Sequence, residues 1–311
     1  MTMPQLASKD VLRADQFSKD EIAVIMNLAH EYEGALADGR VLDVMNGQVL
    51  STLFYEPSTR TRLSFETAML RLGGRVISVA EAKSSSASKG ESLHDTIKTV
   101  EGYADVIVLR HPQIGAANEA ALATDKPILN AGDGAGQHPT QSLLDLYTIQ
   151  KEKGAVDGLT VVLAGDLKNG RTVHSLALLL ANFDVQFIFA APQALRMPQG
   201  ILDQLKEKGI PVQETEDLSV GLQEGDVLYM TRIQRERFDD PDEYDRLKNL
   251  YVLTRKHIDG AKDGIVIMHP LPRVNEIAED VDGYAGAAYF RQSANGVPVR
   301  MALLALVSGR A

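Results

Sequence analysis

The run Phe54-Tyr55-Glu56-Pro57-Ser58-Thr59-Arg60-Thr61-Arg62 sets hydroxyls and guanidiniums side by side in a single turn. Residues 49–54 before it form an apolar run that reads as a buried strand, and residues 63–69 after it carry apolar side chains at helical spacing. A strand that ends in such a turn and opens a helix collects unpaired backbone N–H groups and the positive end of the helix dipole. Hydroxyl and guanidinium donors added there make an anion site, most naturally for phosphate. The plainer alternative for an isolated Ser-Thr-Arg-Thr is a simple N-cap from Ser58 or Thr59, with Arg60 and Arg62 on a solvated face.

Other residues with chemical potential also stand at strand ends. Arg110 closes an expected strand at 106–109, at the edge of a sheet where α/β ligands sit; alone it could equally be a surface ion pair. His138 follows the glycine-rich Gly132-Asp133-Gly134-Ala135-Gly136, where backbone can approach closely, and taken singly it is a loop histidine that starts a helix. The segment Gly165-Asp166-Leu167-Lys168-Asn169-Gly170-Arg171-Thr172 follows a strand at 160–164 but has neither G-x-G-x-x-G nor G-K-[ST], so it is no nucleotide loop. Arg232 follows a strand at 227–230, and a guanidinium suits a carboxylate better than an ammonium does. His269-Pro270-Leu271-Pro272-Arg273 ends a strand at 265–268; its prolines fix a turn in which an X-Pro bond can be cis, and His269 reads as structural rather than catalytic. The histidines lack zinc spacing such as H-E-x-x-H, so no metal and no cofactor are expected.

The elements that must carry these residues alternate. Ser18-Lys19-Asp20-Glu21 has the form of a capping box and opens a helix with Ile22, Ile25, Leu28, Ala29 and Tyr32 on one side. Strands at 49–54, 76–79, 106–109 and 128–130 alternate with helices at 62–72, 93–103 and near 118–123. After a helix at 140–152 a second series follows, with strands at 160–164, 186–190, 226–230, 251–254 and 265–268 and helices at 172–182, 199–208 and near 256–261. A last apolar helix, 299–307, follows Gly296-Val297-Pro298. This order favours α/β architecture: two doubly wound parallel-sheet domains joined by helices. The polar segments 81–92 and 234–248 read as long solvated or functional loops.

Composition narrows the class. At 311 residues the chain suffices for one large or two ordinary domains, and 44% hydrophobic with 24% charged residues is ordinary for a globular protein. A net charge of −10 argues against a general nucleic-acid binder, so a convergent group of arginines must be a locally built positive site. There is no long apolar run for a membrane helix and no signal-peptide pattern at residues 1–13. The absence of cysteine rules out disulfides and is compatible with the cytoplasm.

Taken in order, Ser58-Thr59-Arg60-Thr61-Arg62, Arg110-His111-Pro112, His138-Pro139-Thr140-Gln141 and His269-Pro270-Leu271-Pro272-Arg273 resemble the motifs of the aspartate and ornithine carbamoyltransferases, from about Leu50 to about Leu306. Within that family the likeness is to the catalytic chains of the aspartate branch. The resemblance implies a carbamoyl-phosphate-binding domain at 1–138, an aspartate-binding domain at 139–291 and a C-terminal helix, 292–311, packing back on the first domain. It implies transfer of a carbamoyl group from carbamoyl phosphate to the amine of L-aspartate, an early step of pyrimidine biosynthesis. Such a transition state gathers negative charge on the carbonyl oxygen and the departing phosphate, so the site needs cations and donors more than a nucleophile. By resemblance, Ser58, Thr59, Arg60 and Thr61 hold the phosphate, and Arg110 serves phosphate and carbonyl oxygen. His138 donates to that oxygen, and Gln141 meets the carbamoyl NH₂. Arg171 and Arg232, helped by Gln234, take the two carboxylates of aspartate, and backbone carbonyls around Pro270, Leu271 and a cis Pro272 orient the amino groups. Ser85 and Lys89 reach into the site of a neighbouring chain, which makes the expected assembly a homotrimer with shared sites; separate regulatory chains in a larger assembly are left open. No residue stands out as a general base, and the departing phosphate can accept the amine proton.

Two details depart from relatives: Asn169 stands where some carry tyrosine, and the serine-rich loop before Lys89 differs. The ornithine branch would show His-Cys-Leu-Pro in place of His269-Pro270-Leu271-Pro272 and an acidic group for its substrate's side chain. A non-catalytic relative would have lost part of the constellation.

Overall fold

A computed structural model describes residues 6–81, 86–233, 244, 246 and 250–311. They fall into two compact units, one of Met1–Leu144 with Asn295–Ala311 and one of Asp145–Ala294. Among the described residues no helix is long and apolar enough to cross a membrane.

In the first unit α1 (Lys19–Ala37) starts as its capping box dictates. The Ser18 hydroxyl accepts from the Glu21 N–H at 3.2 Å, and the Glu21 carboxylate accepts from the Ser18 N–H at 2.9 Å. Ile22, Ile25, Ala29 and Tyr32 are buried along one face, with Leu28 partly so. Then follow β1 (Val49–Phe54), α2 (Thr59–Arg71), β2 (Arg75–Val79), α3 (Leu93–Val100), β3 (Val106–His111), α4 (Ala116–Ala123) and β4 (Ile128–Asp133). The sheet is parallel, in the order β2-β1-β3-β4. The two central strands are covered on both faces: Leu50, Leu53, Phe54 and 106–109 are at most 1% exposed, and the polar Ser51 and Thr52 of β1 are buried with them at 2% and 0%. Truncating any such leucine to alanine costs about 2–5 kcal/mol. The chain winds outward from β1 to β2 and then returns past β1 to β3. Strand order therefore reverses between β1 and β3, the kind of position at which open α/β sheets bind ligands outside the carboxyl ends of their strands.

The second series begins with α5 (Pro139–Lys153), in which the unit boundary falls, and continues with β5 (Leu159–Ala164), α6 (Arg171–Leu180), β6 (Val185–Ala190), α7 (Gln199–Glu207), β7 (Val212–Thr215), α8 (Leu218–Glu224), β8 (Val227–Met230), α9 (Arg255–Asp259), β9 (Val266–Met268) and α10 (Tyr289–Val307). This sheet is also parallel, in the order β7-β6-β5-β8-β9, and reverses between β5 and β8.

Several elements differ from their sequence-based expectation. Residues 251–254 form no strand; only Leu253 bridges to Ile277, because β9 already occupies the edge beside β8. Strand β7 and helix α8 were not anticipated: Val-Gln-Glu-Thr is an edge strand with one apolar residue, and α8 is a seven-residue helix containing Gly221. Strand β3 runs on through Arg110 and His111, with Phe54 opposite Arg110 in register. Helix α10 begins ten residues before the expected 299 and runs through Gly296-Val297-Pro298. A proline there removes one helical hydrogen bond, yet the helix persists because it is packed. Val299 and 301–305 are fully buried, and a Cβ on Gly296 would lie 2.3 Å from the Arg300 guanidinium. Residues 295–311 belong to the first unit, as the resemblance implied for the C-terminal helix.

Candidate active site

In the first unit the relevant side chains stand at the carboxyl ends of three neighbouring strands. From β1 the chain turns through Glu56 and Pro57 to Ser58, the N-cap of α2, which is extended (φ −159°, ψ 100°) and whose side chain makes no cap hydrogen bond. The simple-cap reading therefore fails for Ser58. Thr59 and Arg60 are exposed and Thr61 is buried, and no acidic residue in the first turn of α2 opposes its positive end. From β3 comes Arg110, 8% exposed, whose guanidinium donates to the Ala131 carbonyl of β4 at 3.2 Å and to the Glu56 carboxylate. Its own carbonyl accepts from the Tyr55 N–H at 2.8 Å. The arginine is thus fixed between β1 and β4, not left as a surface ion pair. Next to it His111 packs edge-on against Tyr55, and burial lowers its pKa.

After β4, Gly134 adopts φ +54° and a Cβ there would lie 2.5 Å from the Pro112 carbonyl, so only glycine fits the turn. Asp133 accepts from the N–H groups of Gln137 at 2.7 Å and Gly115 at 2.9 Å, which ties this loop to the one after β3. The loop delivers His138, 3% exposed, to the start of α5, where its carbonyl accepts from the Gln141 and Ser142 N–H groups at 3.0 and 3.2 Å. One residue that sequence reasoning missed supports both helices. Arg300 of α10, 2% exposed, lies 4.9 Å from the Phe65 ring of α2 and donates to the Thr140 hydroxyl of α5 at 3.4 Å. The available signal was a charge inside the apolar run 299–307. Lys89 ends a short 3-10 helix, Ser86–Lys89, and is exposed; Ser85 lies outside the described residues.

The second unit repeats this design with different side chains. The loop after β5 leads to Arg171, first residue of α6, and the segment after β8 leads to Arg232; both are partly exposed. The two loops are clamped together. Thr231 donates its N–H and hydroxyl to the Ala164 carbonyl at 2.9 and 3.1 Å, and its hydroxyl accepts from the Asp166 N–H at 3.0 Å. Gly165 (φ +107°) makes room for this: a Cβ would lie 2.4 Å from the Thr231 carbonyl oxygen. Asn169 donates its side-chain amide to both Asp166 carboxylate oxygens at 3.2 Å, and its backbone carbonyl accepts from the Arg171 N–H at 3.1 Å. His174 bonds the Leu167 carbonyl at 2.6 Å, and burial lowers its pKa. Gln234 lies outside the described residues, as does most of the 234–248 loop.

Beyond β9, beside β8, the turn His269-Pro270-Leu271-Pro272 carries a cis Leu271–Pro272 bond. His269 and Glu276 form a buried pair at 2.7 Å; burial would raise the Glu276 carboxyl, but its hydrogen bonds from His269 and backbone N–H groups hold it below the ordinary glutamate range. Arg273 is engaged structurally, with Asp282, the Tyr289 hydroxyl at 3.1 Å and the rings of Tyr289 and Phe290. Each unit therefore offers cations and donors at the reversal point of its own sheet. The first is suited to a phosphate beside a carbonyl, the second to carboxylates.

Two family models cover these units: the carbamoyl-P binding domain of aspartate/ornithine carbamoyltransferase matches residues 9–151, and the Asp/Orn binding domain matches residues 157–307. The chain belongs to the aspartate/ornithine carbamoyltransferase family. Among curated relatives, the aspartate carbamoyltransferase catalytic subunit of Thermococcus kodakarensis is 55% identical over 97% of both chains, and that of Methanopyrus kandleri is 53% identical over 99% of both. Among solved carbamoyltransferase structures, the catalytic subunit of M. Jannaschii aspartate transcarbamoylase superposes with a TM-score of 0.90 at 52% identity, covering 96% of this chain and 97% of that one. Aspartate transcarbamoylase from Trypanosoma cruzi, in complex with carbamoyl phosphate and aspartate, gives 0.91 at 42% identity over 98% of each.

Proposed function

We propose that the chain is an aspartate carbamoyltransferase, which transfers the carbamoyl group of carbamoyl phosphate to the amine of L-aspartate and releases phosphate. The observation that carries the choice of acceptor is the pair of arginines, Arg171 and Arg232, on the two loops clamped at the β5/β8 reversal, two guanidiniums for a dicarboxylate. The relatives named aspartate carbamoyltransferase support it, and so does a T. cruzi structure in complex with N-(phosphonacetyl)-L-aspartic acid, with a TM-score of 0.92.

In this reading the phosphate sits on the α2 N-terminus, held by Ser58, Thr59, Arg60 and Thr61. Arg110 and His138 stabilise the charge that grows on the carbonyl oxygen as the amine attacks, and Gln141 meets the carbamoyl NH₂. Pro270, Leu271 and Pro272 direct the amine through backbone carbonyls. As the C–N bond forms and the C–O bond to phosphate breaks, the departing phosphate takes the amine proton, so no protein base is required. The reading includes a homotrimer in which Lys89 and Ser85 complete a neighbour's site. Lys89 is exposed, and Leu63 and Leu70, seven apart on α2, are 48% and 61% exposed, an apolar stripe suited to a second copy. It includes a cytoplasmic location, compatible with a chain free of cysteine. The test is a transfer assay with purified chain, carbamoyl phosphate, and either aspartate or ornithine. N-carbamoyl-aspartate alone is the expected product; citrulline would mean that the two arginines have been misread, and no product from folded protein would point to a binding or partner-dependent subunit.

A further inference from the structure

Leu271 has φ +55° and is the one non-glycine residue with positive φ among the described residues. A bulky side chain in that region costs about 1–3 kcal/mol and persists only where its surroundings fix it. Here the Leu271 N–H donates to Nδ1 of His269 at 2.8 Å. An N–H can only donate, so Nδ1 must accept. The ring therefore carries its proton on Nε2, which donates to Glu276 Oε1 at 2.7 Å, and is a neutral imidazole. Its backbone is fixed as well. The His269 N–H donates to Gln292 Oε1 at 2.8 Å, the Gln292 amide donates to Asp145 Oδ1 at 2.6 Å, and Asp145 Oδ2 accepts from the Tyr229 hydroxyl at 2.9 Å. His269, Glu276, Gln292, Asp145 and Tyr229 are at most 4% exposed. A buried polar chain drawn from α5, β8, α10 and the loop after β9 thus ends on one backbone N–H of the turn.

We propose that His269 is a positioning residue for the acceptor amine: held as the Nε2-protonated tautomer by Glu276, it fixes Leu271 through Nδ1 and so aims the turn's carbonyls. The inference rests on the proposed function, because it assigns a task to the turn that meets aspartate. It separates the two ring nitrogens, one for the turn and one for the anchor, so that variants can test them one at a time.

Two substitutions divide these roles. In His269→Asn the side-chain oxygen stands near the Nδ1 position and can accept from Leu271, while Glu276 is out of reach. In His269→Gln the amide reaches toward Glu276 and leaves the Leu271 N–H unanswered. Kinetics on the full chain, with each substrate varied in turn, should show His269→Gln losing on the order of 10²-fold in kcat/KM for aspartate, and His269→Asn keeping activity within about tenfold of wild type. The KM for carbamoyl phosphate should stay unchanged in both. Equal losses in the two variants, or losses that track their melting temperatures or fall on carbamoyl phosphate, would overturn the proposal. Ring ¹⁵N shifts of His269 in the wild-type chain give a reading that needs no variant to fold. A neutral Nε2–H ring is expected, and an imidazolium or Nδ1–H ring refutes the assignment. A wild-type chain that does not carbamoylate aspartate would sink the functional reading itself, whereas an active wild type without the split removes only the role of His269.

Discussion

Arg110 shows how tertiary contacts hold a single side chain in place. Its guanidinium spans from Glu56 after β1 to the Ala131 carbonyl of β4, so orientation is set by the sheet and does not have to be gained during reaction. His138 is similarly buried and placed by a loop that only Gly134 permits. If both act as donors to a developing oxyanion, and the leaving phosphate takes the proton, loss of one donor should weaken catalysis without ending it. His138→Ala is expected to lower kcat about 10²–10³-fold, with carbamoyl phosphate and aspartate still bound in calorimetry. Complete loss of turnover in a protein that binds both would mean that His138 is an obligatory base. The residue types at this scale were plain in the sequence, since Ser58-Thr59-Arg60-Thr61, Arg110 and His138 are contiguous or follow strand ends. Partners such as Glu56 for Arg110 and Glu276 for His269 were not, because nothing local couples positions 56 and 110.

Elements supply the precision. Both units place their side chains where strand order reverses, and in the second unit the loops after β5 and β8 are joined by Thr231 and Asp166 around Gly165. Gly165→Ala would add a Cβ 2.4 Å from the Thr231 carbonyl oxygen at φ +107°, forcing apart the loops that carry Arg171 and Arg232. We expect a loss of about 2–4 kcal/mol in denaturant unfolding, together with a raised KM for aspartate. Gly264→Ala, with φ +72° and nothing within 4 Å of the added carbon, is the control for backbone strain alone and should cost roughly 1 kcal/mol. Equal effects of the two changes would show that the Gly165–Thr231 approach is unimportant. Local apolar content gave the buried strands β1, β3, β5 and β8 because strands covered on both faces are mostly apolar on both. It missed β7 and α8, an edge strand with one apolar residue and a helix of only seven residues that contains Gly221.

For the molecule as a whole, the exposed Leu63 and Leu70 of α2 and the exposed Lys89 suit the proposed trimer with shared sites. Lys89→Ala and Arg60→Ala chains should each be nearly inactive alone. Mixed and allowed to exchange subunits, they should recover part of the wild-type rate, since some sites would then be free of both changes. Confirmed exchange without recovery would contradict sharing. By itself the sequence determined two parallel α/β units with the candidate side chains of its motifs at strand ends, because contiguous motifs and apolar strands are written locally. Only the tertiary structure decided that α10 runs through Gly296-Val297-Pro298, that its Arg300 lies against Phe65 and Thr140, and that His269 fixes a left-handed Leu271. Such features arise where segments remote in sequence are packed together, and packing energy there outweighs the local preferences of glycine, proline and leucine that a sequence displays.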